Sequence, residues 1–186
     1  HRDLVARADL DQRLADGRTP LPHQRSGARW LLARRGALLA DEMGLGKTLT
    51  VLLAARALLR AVPLRLMVIA PVGLHPHWLR EVESLDLECT LHSWAKLPAD
   101  LPEAGTLLVV DEAHYAQSLQ AQRTQALLRL ARHPRLRAVW MLTGTPIRNG
   151  RPIQFFPLLA AMDHPLARDQ RSFEEIFCQG HWSEQG

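Results

Sequence analysis

The chain has 186 residues, 47% of them apolar and 23% charged, with a net charge of +4. That length suits one domain with a substantial core, or one lobe of a larger protein, and no apolar run approaches the about 20 residues of a membrane span. The positive balance fits a polyanionic partner, but nearly all of it is arginine, with Lys47 and Lys96 the only lysines, so composition alone names no partner. The chain opens on His1 without a basic-then-apolar leader and is expected to be part of a longer protein. Cys89 and Cys178 lie far apart outside any CxxC, which fits a reduced, intracellular protein. The histidines lack zinc spacing; His75 and His77 merely flank Pro76, so no zinc site is expected.

In chain order, Asp3 to Asp16 predicts a helix within an N-terminal extension over 1–19, broken by Gly17 to Pro22. Pro22 suits a first helical position and opens a helix toward Arg35. Ala37–Ala40 is a short apolar run, and Lys47 to Val62 is a helix with Arg56 and Arg60 one turn apart, closed by Pro63. Further apolar runs occupy Leu66–Ala70, Leu107–Val110 and Ala138–Leu142. Between the last two, Leu119 to Arg132 places Leu119, Ala126, Leu127, Leu130 and Ala131 on one helical stripe. A helix from Pro152 to Met162 follows, and the segment 163–186 carries little periodic signal. Runs without alternation read as strands buried on both faces. Strands alternating with helices predict an α/β doubly wound, mainly parallel sheet with helices on both faces, whose ligands lie at the carboxyl ends of the strands.

Every chemical motif falls at that edge. Ala40 to Thr48 joins an apolar run to a helix through Gly44, Gly46, Lys47 and Thr48. Glycines let backbone N–H groups approach phosphates, and the helix N-terminus adds a favourable dipole. Lys47 supplies a point charge for the β/γ-phosphates, and the Thr48 hydroxyl can ligate Mg²⁺. The alternative, a glycine turn with Lys47 in solvent, is disfavoured by the scarcity of lysine. Asp41 stands where the general phosphate-loop pattern has Gly. Asp111 and Glu112 end a second run: Asp111 suits Mg²⁺ held through water, and Glu112 can orient or deprotonate an attacking water. Alone, the pair would also suit a helix N-terminus. Thr143 and Thr145 place short hydroxyls on a Gly/Pro turn after a third run, suited to sensing a phosphate or carboxylate.

Together these segments resemble the first RecA-like lobe of superfamily 2 helicases, and specifically the SNF2 family of DNA translocases. Asp41-Glu-Met-Gly-Leu-Gly-Lys-Thr48 resembles the SNF2 phosphate loop, Asp111-Glu-Ala-His114 its motif II, and Leu142-Thr-Gly-Thr-Pro146 its motif III. Leu21-Pro-His-Gln24 resembles the segment that sets a Gln against adenine, and Val68–Val72 with His77, Trp78 and Glu81 resembles motif Ia. His92-Ser-Trp94 lies where the family has a DNA-contacting Thr-Ser-Tyr-like stretch. The likeness covers roughly residues 20 to 160. It departs at Gln117-Ser118, where the family usually has Lys-Asn, and at His92, where it has Thr. Gly150-Arg-Pro152 and Phe177-Cys178 resemble the annealing-helicase-like branch, which acts on forked DNA.

The resemblance implies an ATP- and Mg²⁺-dependent motor lobe over 20–162, with 163–186 leading toward a second RecA-like lobe that brings arginines to the γ-phosphate. It implies nucleotide contacts at Gln24, Gly44, Leu45, Gly46, Lys47, Thr48 and Leu49, and catalysis through Lys47, Asp111 and Glu112. His114, Thr143 and Thr145 would couple the site to its surroundings, and Pro71, Val72, Gly73, His92, Ser93 and Trp94 would touch double-stranded or forked DNA. A cytoplasmic, nucleoid-associated location in a bacterium, or a nuclear one in a eukaryote, is expected. The rival readings are a DEAH-type helicase that unwinds RNA or DNA, against which Asp41-Glu42-Met43 and His77-Trp78 argue, and an inactive nucleotide-dependent scaffold, against which intact Lys47, Thr48, Asp111 and Glu112 argue.

Overall fold

The computed structural model describes residues 5, 8–42, 44–102, 104–147 and 150–178. Its elements are α1 (Pro22–Leu32), β1 (Gly36–Leu39), α2 (Lys47–Ala61), β2 (Arg65–Ile69), α3 (His75–Ser84), β3 (Cys89–His92), β4 (Thr106–Val110), α4 (Gln122–Ala131), β5 (Leu136–Leu142), α5 (Phe156–Ala161) and α6 (Gln170–Phe177). The strands form one sheet in the order β1-β5-β4-β2-β3, and every pairing is parallel.

Period-two alternation along each strand divides the core between the two faces. Leu66, Val68, Leu107, Val109, Ala138, Trp140 and Leu142 point to the face covered by α1, α2 and α3, where Leu31, Leu52 and Val82 pack. Met67, Ile69, Leu108, Val110, Val139 and Met141 point to the opposite face, under Leu127, Leu128 and Leu158 of α4 and α5. Both faces of the central strands β2, β4 and β5 are covered, so these strands are apolar along most of their length.

Two glycines set how closely the layers approach. A Cβ on Gly27 would come within 2.7 Å of Thr50 Cγ2, so α1 packs directly on the start of α2. A Cβ on Gly36 would collide with the Met162 carbonyl, so the end of α5 closes over the start of β1.

The expected runs form β1, β2, β4 and β5. The structure adds β3, whose residues are only half-buried or exposed, because an edge strand has one neighbour and needs no apolar run. Of the expected helix over Asp3–Asp16, Val5 is helical, whereas Ala8 to Asp16 is irregular. Asp9 Oδ1 accepts the Asp11 N–H, a local bond that competes with helix. Leu10 and Leu14 enter the core, and the strap is tied to α3 through Ala15 N–H to the Ser84 carbonyl and Arg18 to Glu81. The span Pro152 to Met162 splits into a 3-10 turn and the six-residue α5. Beyond Asp163, where little was legible, Asp169 caps α6 by accepting the Ser172 N–H. Met43, Arg148 and Asn149 of the motif segments lie outside the described residues, as do residues 179–186.

Candidate nucleotide site

The strand register brings the motifs together. Leu39 pairs with Leu142, Val110 with Met141, and Ile69 with both Val110 and His92. Ala40, Thr143, Asp111, Ala70 and Ser93 are therefore the next residues out along one carboxyl edge. Sequence positions more than a hundred apart meet because all five strands run the same way.

At the β1 end the loop bends through Gly44 (φ 87°) and Gly46 (φ 73°), both in the left-handed region that favours glycine. Gly46 caps α2, and a Cβ there would strike the Gln24 amide. Gln24 is buried, and its Oε1 accepts the Leu21 N–H at 2.9 Å. It therefore braces the loop from beneath. An open cavity of about 560 Å³ adjoins the loop, lined by His23, Ser26, Trp30, Leu39, Asp41 and Leu45 among others but not by Gln24. His23 reaches the Leu45 carbonyl at 3.1 Å. The Lys47 ammonium lies inside the loop and donates to the carbonyls of Asp41 (2.7 Å) and Glu42 (2.9 Å). Thr48 is half-buried at the first turn of α2, while Leu49 is buried in the core.

Asp111 sits at the tip of β4, 8% exposed. Its Oδ2 accepts the Trp78 indole N–H at 2.8 Å and its Oδ1 the Glu112 N–H at 2.9 Å. The Trp94 indole donates to its carbonyl at 3.0 Å. Burial pushes the Asp111 carboxyl up; the two N–H donors pull it down, the Glu112 charge adds to the rise and the Lys47 charge opposes it. Trp78 was legible only as part of the motif Ia likeness; its indole N–H, wholly buried, had to find an acceptor.

Glu112 adopts a left-handed conformation (φ 50°), uncommon for a residue with a side chain. His114 Nδ1 lies 3.0 Å from Glu112 Oε2 and 3.4 Å from Thr143 Oγ1. Thr143, buried, accepts the Thr145 N–H at 3.1 Å, so motif II and the turn after β5 form one polar cluster. Gln117 extends it, donating to the carbonyls of Pro146 (2.9 Å) and Thr145 (3.4 Å). The residue at the expected Lys position thus ties the two motifs together instead of presenting charge.

The residues expected to meet DNA lie along the same edge after β2 and β3. Val72 is 65% exposed, whereas Trp94 is buried with its indole turned inward to Asp111. His92 is half-buried, and burial together with neighbouring His75 holds its ring below the usual histidine range.

The donor set fits magnesium. Among the described residues no three His, Cys, Asp or Glu side chains converge. The edge therefore offers Asp111 and the Thr48 hydroxyl as candidate ligands rather than a cage of three carboxylate or imidazole groups. Magnesium binds such sites when phosphate oxygens and water complete its shell. Both oxygens of Asp111 accept N–H bonds, and among the described residues it makes no ion pair.

An all-parallel sheet with a glycine loop entering a helix at one strand tip and an acidic pair at another defines a RecA-like α/β lobe. Comparison with known proteins narrows the class. The model of the SNF2-related domain matches residues 23–95 and 90–182, and the chain belongs to that family. It is 28% identical over 192 residues to the DNA annealing helicase and endonuclease ZRANB3 of Mus musculus, covering 87% of this chain and 18% of that protein. It is 27% identical over 183 residues to the SWI/SNF-related matrix-associated actin-dependent regulator of chromatin subfamily A-like protein 1 of Bos taurus, covering 85% and 19%. The chain thus spans less than a fifth of these relatives. The Sulfolobus solfataricus SWI2/SNF2 ATPase core in complex with dsDNA superposes with a TM-score of 0.66 at 20% identity, over 83% of this chain and 38% of that one. That likeness is one of fold.

Proposed function

We propose that the chain is the first RecA-like lobe of an ATP-driven translocase on double-stranded DNA, in a remodelling or fork-processing role. One observation carries the reading: the glycine loop with Lys47, after β1, and the buried carboxylate Asp111, after β4, stand on one carboxyl edge of the sheet with only β5 between their strands. Family membership and the DNA-acting names of the relatives support it. So does the dsDNA-bound SWI2/SNF2 core, through its fold.

In this reading the N–H groups from Gly44 to Thr48 hold the phosphates. Lys47, already surrounded by acceptors in the loop, shifts from the Asp41 and Glu42 carbonyls to phosphate oxygens. Thr48, and Asp111 through water, would hold magnesium, which would neutralise developing charge on the phosphates. Trp78 fixes the Asp111 rotamer. Glu112 orients the attacking water, and its His114 partner reports to Thr143 and Thr145. Pro71 to Gly73, His92 and Ser93 face the DNA. A second lobe would supply the arginines.

ATP turnover by Glu112→Gln in a longer protein carrying the second lobe tests the scheme, because charge is removed while shape is kept. Turnover should fall by at least about a hundredfold, the scale of a positioned general base, with nucleotide affinity retained. Hydrolysis at the wild-type rate would remove Glu112 from the mechanism.

A further inference from the structure

We propose that the cleft between the turn after β3 and the first turns of α4 is a binding site for the phosphodiester backbone of duplex DNA; this rests on the translocase reading above. The cleft has a volume of about 700 Å³ and is lined by Trp94, Lys96, Gln122, Arg123, Ala126 and Arg129 among others. Its described lining residues include three cations and no acid. All three cations are exposed. Of the chain's two lysines, one lies in the phosphate loop and the other is Lys96. Convergence of cations from two separate segments on a concave surface, with no carboxylate among them, favours a polyanion over a solvated helix face.

The cleft adjoins the edge already assigned to DNA, since Ser93 and Trp94 lead into it. The Lys96 N–H closes that turn on the Ser93 carbonyl at 3.1 Å. Phosphate contacts of this kind position a duplex without reading its sequence.

Two walls of the cleft also grip motif II. Trp94 donates to the Asp111 carbonyl at 3.0 Å, and Arg123 Nε donates to the Tyr115 carbonyl at 2.7 Å. The Arg123 guanidinium lies 5.6 Å from the centre of the Tyr115 ring, which stacks on His114 at 4.8 Å. A phosphate drawn to Arg123 therefore competes with contacts to the residue beside His114. DNA in the cleft and nucleotide at Lys47 would change each other's affinity by one common factor.

Duplex binding by fluorescence anisotropy across a salt series tests the site, using wild type, Lys96→Gln, Arg129→Gln and the control Arg65→Gln. Arg65 is exposed at the amino end of β2, on the opposite edge. Each cleft variant should weaken duplex binding by about two- to fivefold and lower the salt slope by roughly one unit. Arg65→Gln and the nucleotide affinity of every variant should stay at wild type. Cleft variants that bind duplex like wild type, or a control that loses as much as they do, overturn the site while leaving the translocase reading intact. A wild type with no salt-dependent duplex binding overturns both. Tighter binding of double-stranded RNA than of DNA overturns the ligand assignment.

Discussion

Around Asp111, geometry rather than residue type decides what each side chain does. Both of its carboxylate oxygens accept N–H bonds, an arrangement an amide cannot copy, since one of its two terminal atoms is a donor. Asp111→Asn should turn an NH₂ toward an N–H and lose the charge magnesium needs. Nucleotide affinity measured with and without magnesium should then become the same in the variant. Trp78→Phe keeps the ring and removes one donor. We expect it to cost about 1–3 kcal/mol of stability, because the buried carboxylate loses a partner, and to weaken magnesium-dependent binding; denaturant unfolding and calorimetry read the two effects. The placement of Lys47, Thr48, Asp111 and Glu112 along one edge was legible because glycine loops and paired carboxylates follow strands in a fixed order. The Trp78–Asp111 bond was not: thirty-three positions separate the two, and only the parallel register brings them together. The inward turn of the Trp94 indole was hidden for the same reason, since its acceptor, the Asp111 carbonyl, lies seventeen positions away.

Among the elements, the site depends on how closely layers pack around strand ends. Gly36→Ala places a methyl group against the Met162 carbonyl, and a backbone obstacle yields poorly. It should destabilise the fold by about 1–3 kcal/mol, read as a lower midpoint in denaturant unfolding with an unchanged slope. Of the strands, four could be read from unbroken apolar runs because both of their faces are covered. β3 could not, because its Cys89–His92 pattern is that of a sparsely covered edge. The strap before α1 escaped for a different cause: Leu10 and Leu14 have helical spacing, yet Asp9 accepts the Asp11 N–H and the Arg18–Glu81 pair draws the strap onto α3.

For the whole molecule, the account separates binding from turnover. The phosphate loop, Asp111 and Glu112 lie in this chain, while the part matched is less than a fifth of ZRANB3 of Mus musculus and of the Bos taurus relative. Arg151 is the described arginine nearest in sequence to motif III, and it opens the 3-10 turn before α5. An arginine brought from a second lobe is worth about 10³–10⁵ in rate. This chain alone should therefore bind nucleotide but hydrolyse it slowly, with little stimulation by DNA. A longer protein carrying the second lobe should hydrolyse it at least about a thousandfold faster with duplex present, as steady-state turnover of the two would show. The claim beneath all of this is that Lys47 lies in a phosphate site. Calorimetric titration of magnesium-ADP into wild type and Lys47→Ala tests it most directly. Loss of one charge-assisted contact to the β-phosphate should weaken binding by roughly tenfold or more; equal affinity in the two proteins would contradict the assignment.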